Sequence, residues 1–252
     1  MLSKAQLKLI KSLEHKKYRK ETGLFVAEGG KTIGDLIACD IPCKLIIATR
    51  EWLAGHNIPH NVEITEVSNE DMKRASFLRT PQGVLAVFHY PSEEHDNSHP
   101  TRTLCLALDG IQDPGNMGTI IRIADWFGIE HIYCSPGCVD AFSPKTIQAT
   151  MGAIGRVKIH TTDLPTLIDS LKGKAPVYGT FLNGENIYKC NLQRHGLVIM
   201  GNEGNGISND CEKRITDRLF IPNYPAERST SESLNVSTAT AIICSEFRRR
   251  IE

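Results

Sequence analysis

The sequence has no long hydrophobic run, no paired cysteine motif and no net charge. No apolar run approaches the roughly 20 residues that span a bilayer, and no signal peptide is recognisable, so we expect a soluble cytoplasmic protein without membrane contact. Lysine plus arginine and aspartate plus glutamate balance at 29 each, so net charge gives no indication of a nucleic-acid partner. Eight cysteines are present, but no C-x-x-C occurs, and Cys134 and Cys138 lack a second Cys or His pair at zinc-like spacing. We therefore expect free thiols and no metal ion.

The positive charges are concentrated at the two ends of the sequence. Residues 1–20 contain seven lysines and arginines against Glu14 alone, and three arginines follow one another at 248–250. One interpretation is contact with a polyanion. The other, which these residues alone favour slightly, is a solvated amphipathic helix and a helix C-terminus stabilised by the helix dipole.

Two α/β segments joined by a polar linker are predicted. Residues 1–95 combine a basic amphipathic helix with short strands, and a polar, proline-flanked stretch follows, of which we take 96–102 as the linker. In 103–252, short β-rich runs alternate with helices, which predicts a mostly parallel sheet with helices on both faces. The predicted strands are 104–108, 131–135, 156–160, 176–181, 196–200 and 218–222, and the predicted helices are about 117–127, 144–152, 163–172, 208–215 and 233–250. Ligands of such sheets lie in the loops beyond the strands' carboxyl ends.

The first loop that carries chemistry is LDGIQDPGNMGTIIR, after strand 104–108. Pro114 and Gly115 predict a turn, and Asn116 is a candidate N-cap of the following helix. Arg122 lies between isoleucines, which argues against full exposure. An ion pair with Asp125, three residues on, and a functional role are both open for this arginine.

The second loop is IMGNEGNGIS, residues 199–208. Its glycines allow a ligand to approach the backbone closely, but the G-x-x-G-x-G spacing is neither a dinucleotide fingerprint nor a phosphate loop. This spacing disfavours a nucleotide-dependent dehydrogenase. Glu203 lies inside the turn, where an acidic residue also favours the start of the next helix.

The third segment, 221–250, leads from a proline-bearing loop into a long helix. Ser229 and Glu232 have the spacing of a capping box. Ser233 and Asn235 are predicted in the first turn of the helix, where hydrogen bonding to the helix start would by itself explain either residue.

Together the three segments resemble the motifs of SpoU/TrmH-type RNA methyltransferases of the SPOUT superfamily. The stretches that carry the resemblance are DPGNMGTIIR, GNEGNGIS and SLNVSTATAI, in this order, and AFSPKTIQATMGAIGRV resembles the segment between the first two. The resemblance covers about 104–250. Residues 1–95, with FVAEGGKTIGDLI and TPQGVLAVF, resemble more loosely the α/β RNA-binding domain that often precedes the catalytic domain 103–252.

The resemblance implies transfer of the methyl group of S-adenosylmethionine to a ribose 2′-hydroxyl in ribosomal or transfer RNA, without a metal. It also implies a parallel α/β domain whose C-terminal segment forms a trefoil knot, and a homodimer. The knot follows from the resemblance alone, because general topology rules argue against it. The motifs carry the family's site-forming residues over to Asn116, Arg122, Glu203, Ser233 and Asn235. Its cofactor contacts carry over to Thr180, Gly201, Ile221 and Leu234.

The role of Arg122 has two interpretations. The family's arginine is proposed as the base that takes the 2′-hydroxyl proton, but arginine normally stays protonated in proteins. The alternative is that Arg122 grips an RNA phosphate through its fork of donors and stabilises the developing alkoxide.

Two other functions and one departure from the family pattern bear on this assignment. A non-catalytic RNA-binding protein of the same fold and a base methyltransferase are the alternatives. Ten residues, 223–232, separate IP from SLN where the family usually has about six; the longer loop could reshape the adenosine pocket or add an RNA contact through Arg228.

Overall fold

The computed structural model describes residues 1–56, 62–91, 96–225 and 233–250. The chain divides into two compact units, one comprising residues 1–92 and 140–155, the other residues 93–139 and 156–252. The described segments include no helix that could span a bilayer.

The first unit contains a four-stranded mixed sheet with short helices. Its strands are β1 (Leu24–Glu28), β2 (Cys43–Thr49), β3 (Glu63–Val67) and β4 (Val84–His89), in the order β1-β4-β2-β3. Only β2 and β3 run parallel; β4 is antiparallel to both of its neighbours. The helices are α1 (Lys4–Ser12), α2 (Lys16–Thr22), α3 (Gly30–Ala38), α4 (Arg50–Ala54), α5 (Asn69–Ala75) and α7 (Pro144–Thr150), with a 3₁₀ turn at Ala153–Gly155.

The predicted N-terminal basic helix is present as α1, but Arg19, in the following helix α2, is not available to a polyanion. α1 starts with a capping box between Ser3 and Gln6 and buries Ile10 in the core of the unit. Arg19 is 2 % exposed. It pairs with Asp140 at 2.6 Å and donates to the carbonyl oxygen of Leu13 at 2.7 Å. Arg19 therefore stabilises this unit, because a guanidinium this deeply buried requires partners for its donors.

The second unit contains a six-stranded, fully parallel sheet. Its strands are β5 (Leu104–Asp109), β6 (His131–Cys134), β7 (Lys158–Thr161), β8 (Val177–Asn186), β9 (Gly196–Gly201) and β10 (Asp217–Phe220), in the order β10-β8-β9-β5-β6-β7. All five neighbouring pairs are parallel. The helices are α6 (Pro114–Trp126), α8 (Leu164–Leu171), α9 (Asn209–Glu212) and α10 (Val236–Arg249), with a 3₁₀ turn at His99–Thr101. The predicted mostly parallel α/β sheet is confirmed.

Both faces of this sheet are buried. Neighbouring residues of β5, such as Leu106 and Ala107, point to opposite faces, and both are fully buried. One face packs against α8 through Leu167 and Ile168. α6 and α10 pack against each other, and α10 also lies against β9. This double coverage explains why the central strands read as continuous apolar runs.

The three arginines at the end of α10 bind within the second unit. Arg248 donates to the carbonyl oxygens of Phe127 at 2.6 Å and Gly128 at 2.8 Å. Arg250 donates to the carbonyl oxygen of Ile187 at 2.8 Å, and Arg249 and Arg250 both contact the Glu246 carboxylate. These residues anchor the helix. The basic C-terminus is therefore closer to the interpretation as a stabilised helix end than to that as a polyanion contact.

Candidate functional site

Two loops meet at the carboxyl edge of the parallel sheet. β5 lies beside β9, with Asp109 paired to Gly201 at the last position of both strands. From β5 the strand order runs to β6 and β7 on one side, and to β9, β8 and β10 on the other. Ligands of open α/β sheets bind at such a switch point. The loops that leave β5 and β9 here carry the first two sequence motifs.

The first loop enters α6 through Asp113, not through Asn116. Asp113 is the N-cap, its Oδ1 accepts from the backbone N–H of Asn116 at 2.8 Å, and Pro114 follows at the first helical position. Proline suits this position because its missing N–H has no helical acceptor in any case. The prediction of Asn116 as N-cap is therefore wrong. Its carboxamide does not cap the helix and instead bonds other side chains.

The carboxamide of Asn116 connects the three motifs. Its Nδ2 donates to Oε1 of Glu203 at 2.9 Å, and its Oδ1 accepts from Nδ2 of Asn235 at 3.0 Å. Oδ1 of Asn235 in turn accepts from the backbone N–H of Ser237 at 3.0 Å and of Thr238 at 3.3 Å, which makes Asn235 the N-cap of α10. We call this chain of hydrogen bonds, Glu203–Asn116–Asn235, the amide bridge.

The chemistry of its ends fixes the orientation of the amide bridge. The N-terminal N–H groups of α10 require an acceptor, so Asn235 turns its oxygen to the helix and its NH₂ to Asn116. An ionised carboxylate only accepts, so Asn116 turns its NH₂ to Glu203. Three exposed or half-buried polar side chains are thereby held in one arrangement.

The second loop is folded by Asn202, a residue that the sequence analysis did not single out. Its Nδ2 donates to the carbonyl oxygen of Gly110 at 2.7 Å, and its Oδ1 accepts from the backbone N–H groups of Gly204 and Asn205, both at 2.9 Å. Asn202 thus ties the two loops together next to Glu203. The available signal was an asparagine in a glycine-rich turn, where its side chain commonly bonds the backbone two residues on.

Gly201 is required by the turn itself. A Cβ at this position would lie 2.3 Å from the carbonyl carbon of Gly206. The returning backbone at Gly206 therefore occupies the space beside Gly201 that the glycines were predicted to leave for a ligand. Gly206 pairs with Asn202 through two hydrogen bonds of 2.9 Å.

Residues after β6 support the first loop from behind. The backbone N–H of Gly110 donates to Oγ of Ser135 at 2.9 Å, and Sγ of Cys138 donates to the carbonyl oxygen of Leu108 at 3.1 Å. Hydrogen bonding to Cys134 is the main cause that lowers the pKa of Cys138 to about 7. The two hydrogen bonds from Gly110 and Cys138 hold the end of β5 and the start of the first loop against the segment that follows β6.

Arg122 is exposed on α6, contrary to the expectation from its flanking isoleucines, and the ion pair with Asp125, one of the two roles left open, is not observed. Asp125 instead pairs with Arg156, which donates to it through two guanidinium nitrogens, the closer at 2.8 Å. The flanking Ile121 is fully buried, since it points to the opposite side of the helix. Among the described residues no hydrogen bond or ion pair is formed by Arg122. Its donors are available to a ligand.

Ser233 and Leu234 precede α10 instead of lying in its first turn. The helix begins at Val236 with Asn235 as cap, so the predicted start at 233 is wrong. Ser233 is exposed, and Leu234 is 48 % exposed. The predicted capping box of Ser229 and Glu232, and Arg228, lie outside the described residues.

Two of the four positions predicted to bind a cofactor lie at the carboxyl ends of strands. Thr180 lies in β8, where its hydroxyl donates to the carbonyl oxygen of Ile199 at 3.1 Å. Gly201 ends β9, Ile221 follows β10, and Leu234 precedes α10. The half-buried Ile221 and the exposed Leu234 offer apolar surface to a ring, and the strand ends offer backbone polar groups. This combination fits a nucleoside such as that of S-adenosylmethionine.

Comparisons with known proteins give a consistent result. The SpoU rRNA Methylase family model matches residues 103–245, and the MRM3-like substrate binding domain model matches residues 4–86. The 23S rRNA (guanosine(2553)-2′-O)-methyltransferase RlmP of Bacillus subtilis is 30 % identical over 240 residues, covering 94 % of each chain. rRNA methyltransferase 3, mitochondrial, of Mus musculus is 32 % identical, covering 93 % of this chain and 69 % of the relative.

Two solved structures are similar over nearly the whole chain. A TrmH-family protein from Porphyromonas gingivalis is 42 % identical with a TM-score of 0.89, covering 99 % of both chains. The AdoMet-bound rRNA methyltransferase from Sinorhizobium meliloti is 28 % identical with a TM-score of 0.86, covering 100 % of this chain and 98 % of that one.

Proposed function

This chain belongs to the SpoU rRNA methylase family, and we propose that it methylates a ribose 2′-hydroxyl in ribosomal or transfer RNA at the site around the amide bridge. It is an RNA 2′-O-methyltransferase, in agreement with the activity in the name of its Bacillus subtilis relative, and its methyl donor is S-adenosylmethionine. The observation that carries the assignment of the site is the amide bridge, because it joins residues of all three family motifs.

The cofactor supplies a methyl group that its sulfonium already makes electrophilic. The weak nucleophile is the ribose hydroxyl, so the protein must orient this hydroxyl, assist loss of its proton and exclude water. We assign Thr180, Gly201, Ile221 and Leu234 to holding the cofactor. Support comes from Gly201 and Ile221, which lie at the carboxyl ends of β9 and β10, and from the apolar surface that Ile221 and Leu234 offer.

The amide bridge and Ser233 form the polar side of the proposed site. Asn116, Glu203 and Asn235 fix one another, so that each group has one orientation before RNA arrives. Such preorganisation removes a reorganisation cost from the transition state. We assign the hydroxyl of Ser233, which is exposed two residues before Asn235, to hydrogen-bonding the RNA backbone.

We propose that Arg122 binds an RNA phosphate and stabilises the developing alkoxide, instead of acting as the base. Arginine side chains stay protonated in proteins at neutral pH, so use of Arg122 as a base would first carry the free-energy cost of deprotonating it. This cost would add directly to the barrier. The electrostatic role needs only an accessible guanidinium, and Arg122 is exposed without a partner among the described residues.

Replacing Arg122 with alanine should abolish methyl transfer while leaving cofactor affinity and melting temperature nearly unchanged, because the side chain is exposed. Transfer of labelled methyl groups to RNA from cells lacking the gene measures the first, and calorimetric titration with S-adenosylmethionine the second. Arg156→Ala, which removes an exposed arginine paired with Asp125, is the control and should retain activity. An active Arg122→Ala enzyme would refute the assignment.

Three finer features belong to the same proposal. The C-terminal segment is proposed to thread as a trefoil knot, which the return of Asn235 to the loop of Asn116 supports. A homodimer is proposed from the family resemblance, with Trp126, 85 % exposed one turn beyond Arg122 on α6, as a candidate interface residue. We propose residues 1–95 as an RNA-binding domain followed by the linker 96–102, on the basis of the substrate-binding family model that matches residues 4–86.

The decisive experiment maps alkali-resistant linkages in RNA from cells with and without the gene. A 2′-O-methyl group protects the neighbouring phosphate, because the 2′-oxygen no longer attacks it. A linkage that becomes alkali-sensitive when the gene is removed supports ribose methylation. Modification of a base, with unchanged alkali resistance, would favour the base methyltransferase, and unchanged RNA would favour the non-catalytic alternative.

A further inference from the structure

Three histidines from separate segments meet at the β7 edge of the parallel sheet. His99 lies in the 3₁₀ turn His99–Thr101 before β5, His131 begins β6, and His160 lies in the edge strand β7. One ring nitrogen of each lies within 4.8 Å of those of the other two. Nine histidines occur in the sequence, so a third of them gather at a place that the methyl-transfer chemistry does not use.

The cluster is largely removed from solvent. His99 is 8 % and His131 5 % exposed, and His160 is half-buried. Nδ1 of His131 and Nε2 of His160 are 3.0 Å apart, which in the absence of an ion requires a proton between them.

The donor set suits a particular class of ion. Imidazole nitrogen binds zinc, copper, nickel and cobalt, whereas magnesium and calcium prefer oxygen. Zinc–nitrogen bonds of about 2.0–2.1 Å in a tetrahedron place two ligand nitrogens about 3.3 Å apart. The 3.0 Å separation between His131 and His160 is close to this value. An ion between them would replace the shared proton.

His99 completes the set after a rotation of its ring. The ring now stacks on that of His131, with centroids 3.5 Å apart and planes inclined by 21°, so the two lone pairs do not yet converge. Nδ1 of His99 is 3.0 Å from the hydroxyl of Tyr133, and Nε2 is 3.7 Å from Oδ2 of Asp96. Whichever nitrogen binds the ion, the other retains an oxygen neighbour, as is usual for metal-binding histidines.

We propose that His99, His131 and His160 bind one divalent transition-metal ion of the zinc class. Three histidines leave the fourth position of a tetrahedral ion to water or to Asp96. The ion joins the segment before β5 to the edge pair β6–β7, so its effect is on the stability of the sheet and not on methyl transfer.

The test uses untagged full-length protein, treated with a chelator and then titrated with Zn²⁺ by calorimetry and with Co²⁺ by visible spectroscopy. We expect one ion per chain with a dissociation constant at or below about 1 μM. We also expect the absorption bands of tetrahedral Co²⁺, and a melting temperature raised by about 5 °C or more with saturating Zn²⁺.

His160→Gln should abolish all three effects, and His89→Gln, at an exposed histidine of β4, should change none of them. Equal binding by wild type and His160→Gln would overturn the site. If His160→Gln fails to fold, the wild-type titration alone decides. Binding of neither ion at micromolar concentration, or Co²⁺ spectra without tetrahedral bands, would overturn the proposal.

Discussion

Replacing Asn116 with aspartate changes the amide bridge by a single group of nearly the same shape. In the wild type, Nδ2 of Asn116 donates to Oε1 of Glu203 at 2.9 Å. The aspartate variant places a carboxylate oxygen at the position of this NH₂ group. Loss of a hydrogen bond to a charged group costs about 1.5–3 kcal/mol. Two unit charges at this distance repel by about 1.4 kcal/mol even in water. The variant is therefore expected to lose roughly 3 kcal/mol of site organisation, or about 100-fold in kcat/KM.

The assay is labelled methyl transfer to RNA from cells lacking the gene, measured between about pH 5 and pH 8 beside the wild type. The negative charge of one carboxylate disfavours ionisation of its neighbour, so the adjacent pair takes up a proton at a higher pH than a single carboxylate does. The loss should therefore shrink toward the acid end for Asn116→Asp but not for Asn116→Ala. Melting curves of both variants check that the fold is retained.

A second substitution separates geometry from charge. In Asn116→Asp/Glu203→Gln, the glutamine NH₂ donates to the aspartate, so the hydrogen bond between positions 116 and 203 is restored with its direction reversed, while Asn235 still donates to position 116. We expect the double variant to recover at least about tenfold of the single variant's loss, which is about 1.4 kcal/mol. An Asn116→Asp enzyme within about threefold of wild type at every pH would refute the reasoning.

Three further substitutions test the surroundings of the site and the first unit. Asp113→Ala removes the cap of α6 and should lower the free energy of unfolding by about 1 kcal/mol, whereas Asp113→Asn should retain most of it; equal denaturant midpoints would contradict this. Asn202→Asp keeps the acceptor of the second loop but loses the donor to Gly110, and should reduce kcat more than it lowers the melting temperature; an unchanged kcat would contradict a positioning role. Burial raises the pKa of Glu28, so its ionised form is disfavoured in the fold and its contribution to stability falls as the pH rises through the interval above the ordinary glutamate value. Glu28→Gln, which can still bond Ser76, should remove this component, and an identical pH profile of unfolding would contradict it.

Local pattern predicted the sheet and the sites of the loops, but not which side chains touch. Runs such as LCLAL and GLVIM are apolar at every position because β5 and β9 are buried on both faces. Local pattern was sufficient to identify Asp113 as the N-cap in place of Asn116, because an aspartate directly before a proline is itself a helix-start signal. The ion-pair partner of Asp125 could not be predicted from local pattern, because Arg156 comes from a distant segment.

The members of the proposed site came from the family resemblance, and their contacts came from the fold. No periodicity relates Asn116, Glu203 and Asn235, which lie in three segments that only the strand order brings together. The histidine cluster shows the same limit: each histidine alone is an ordinary residue of a strand or turn. The knot, the homodimer and the role of Arg122 stay predictions.

The anchoring of α10 has a consequence for how loss-of-function variants of this enzyme are interpreted. The helix has 14 residues, so it is about 21 Å long. Asn235 caps one end in the site, and Arg248 and Arg250 are fastened to backbone carbonyls at the other. A rigid rod held at one end transmits a displacement to the other, so removing either arginine would shift Asn235 without touching RNA. An activity screen alone would count these arginines as RNA-binding residues. Only a measurement of RNA binding that does not depend on the position of Asn235 would separate a loss of RNA contacts from a displacement of Asn235.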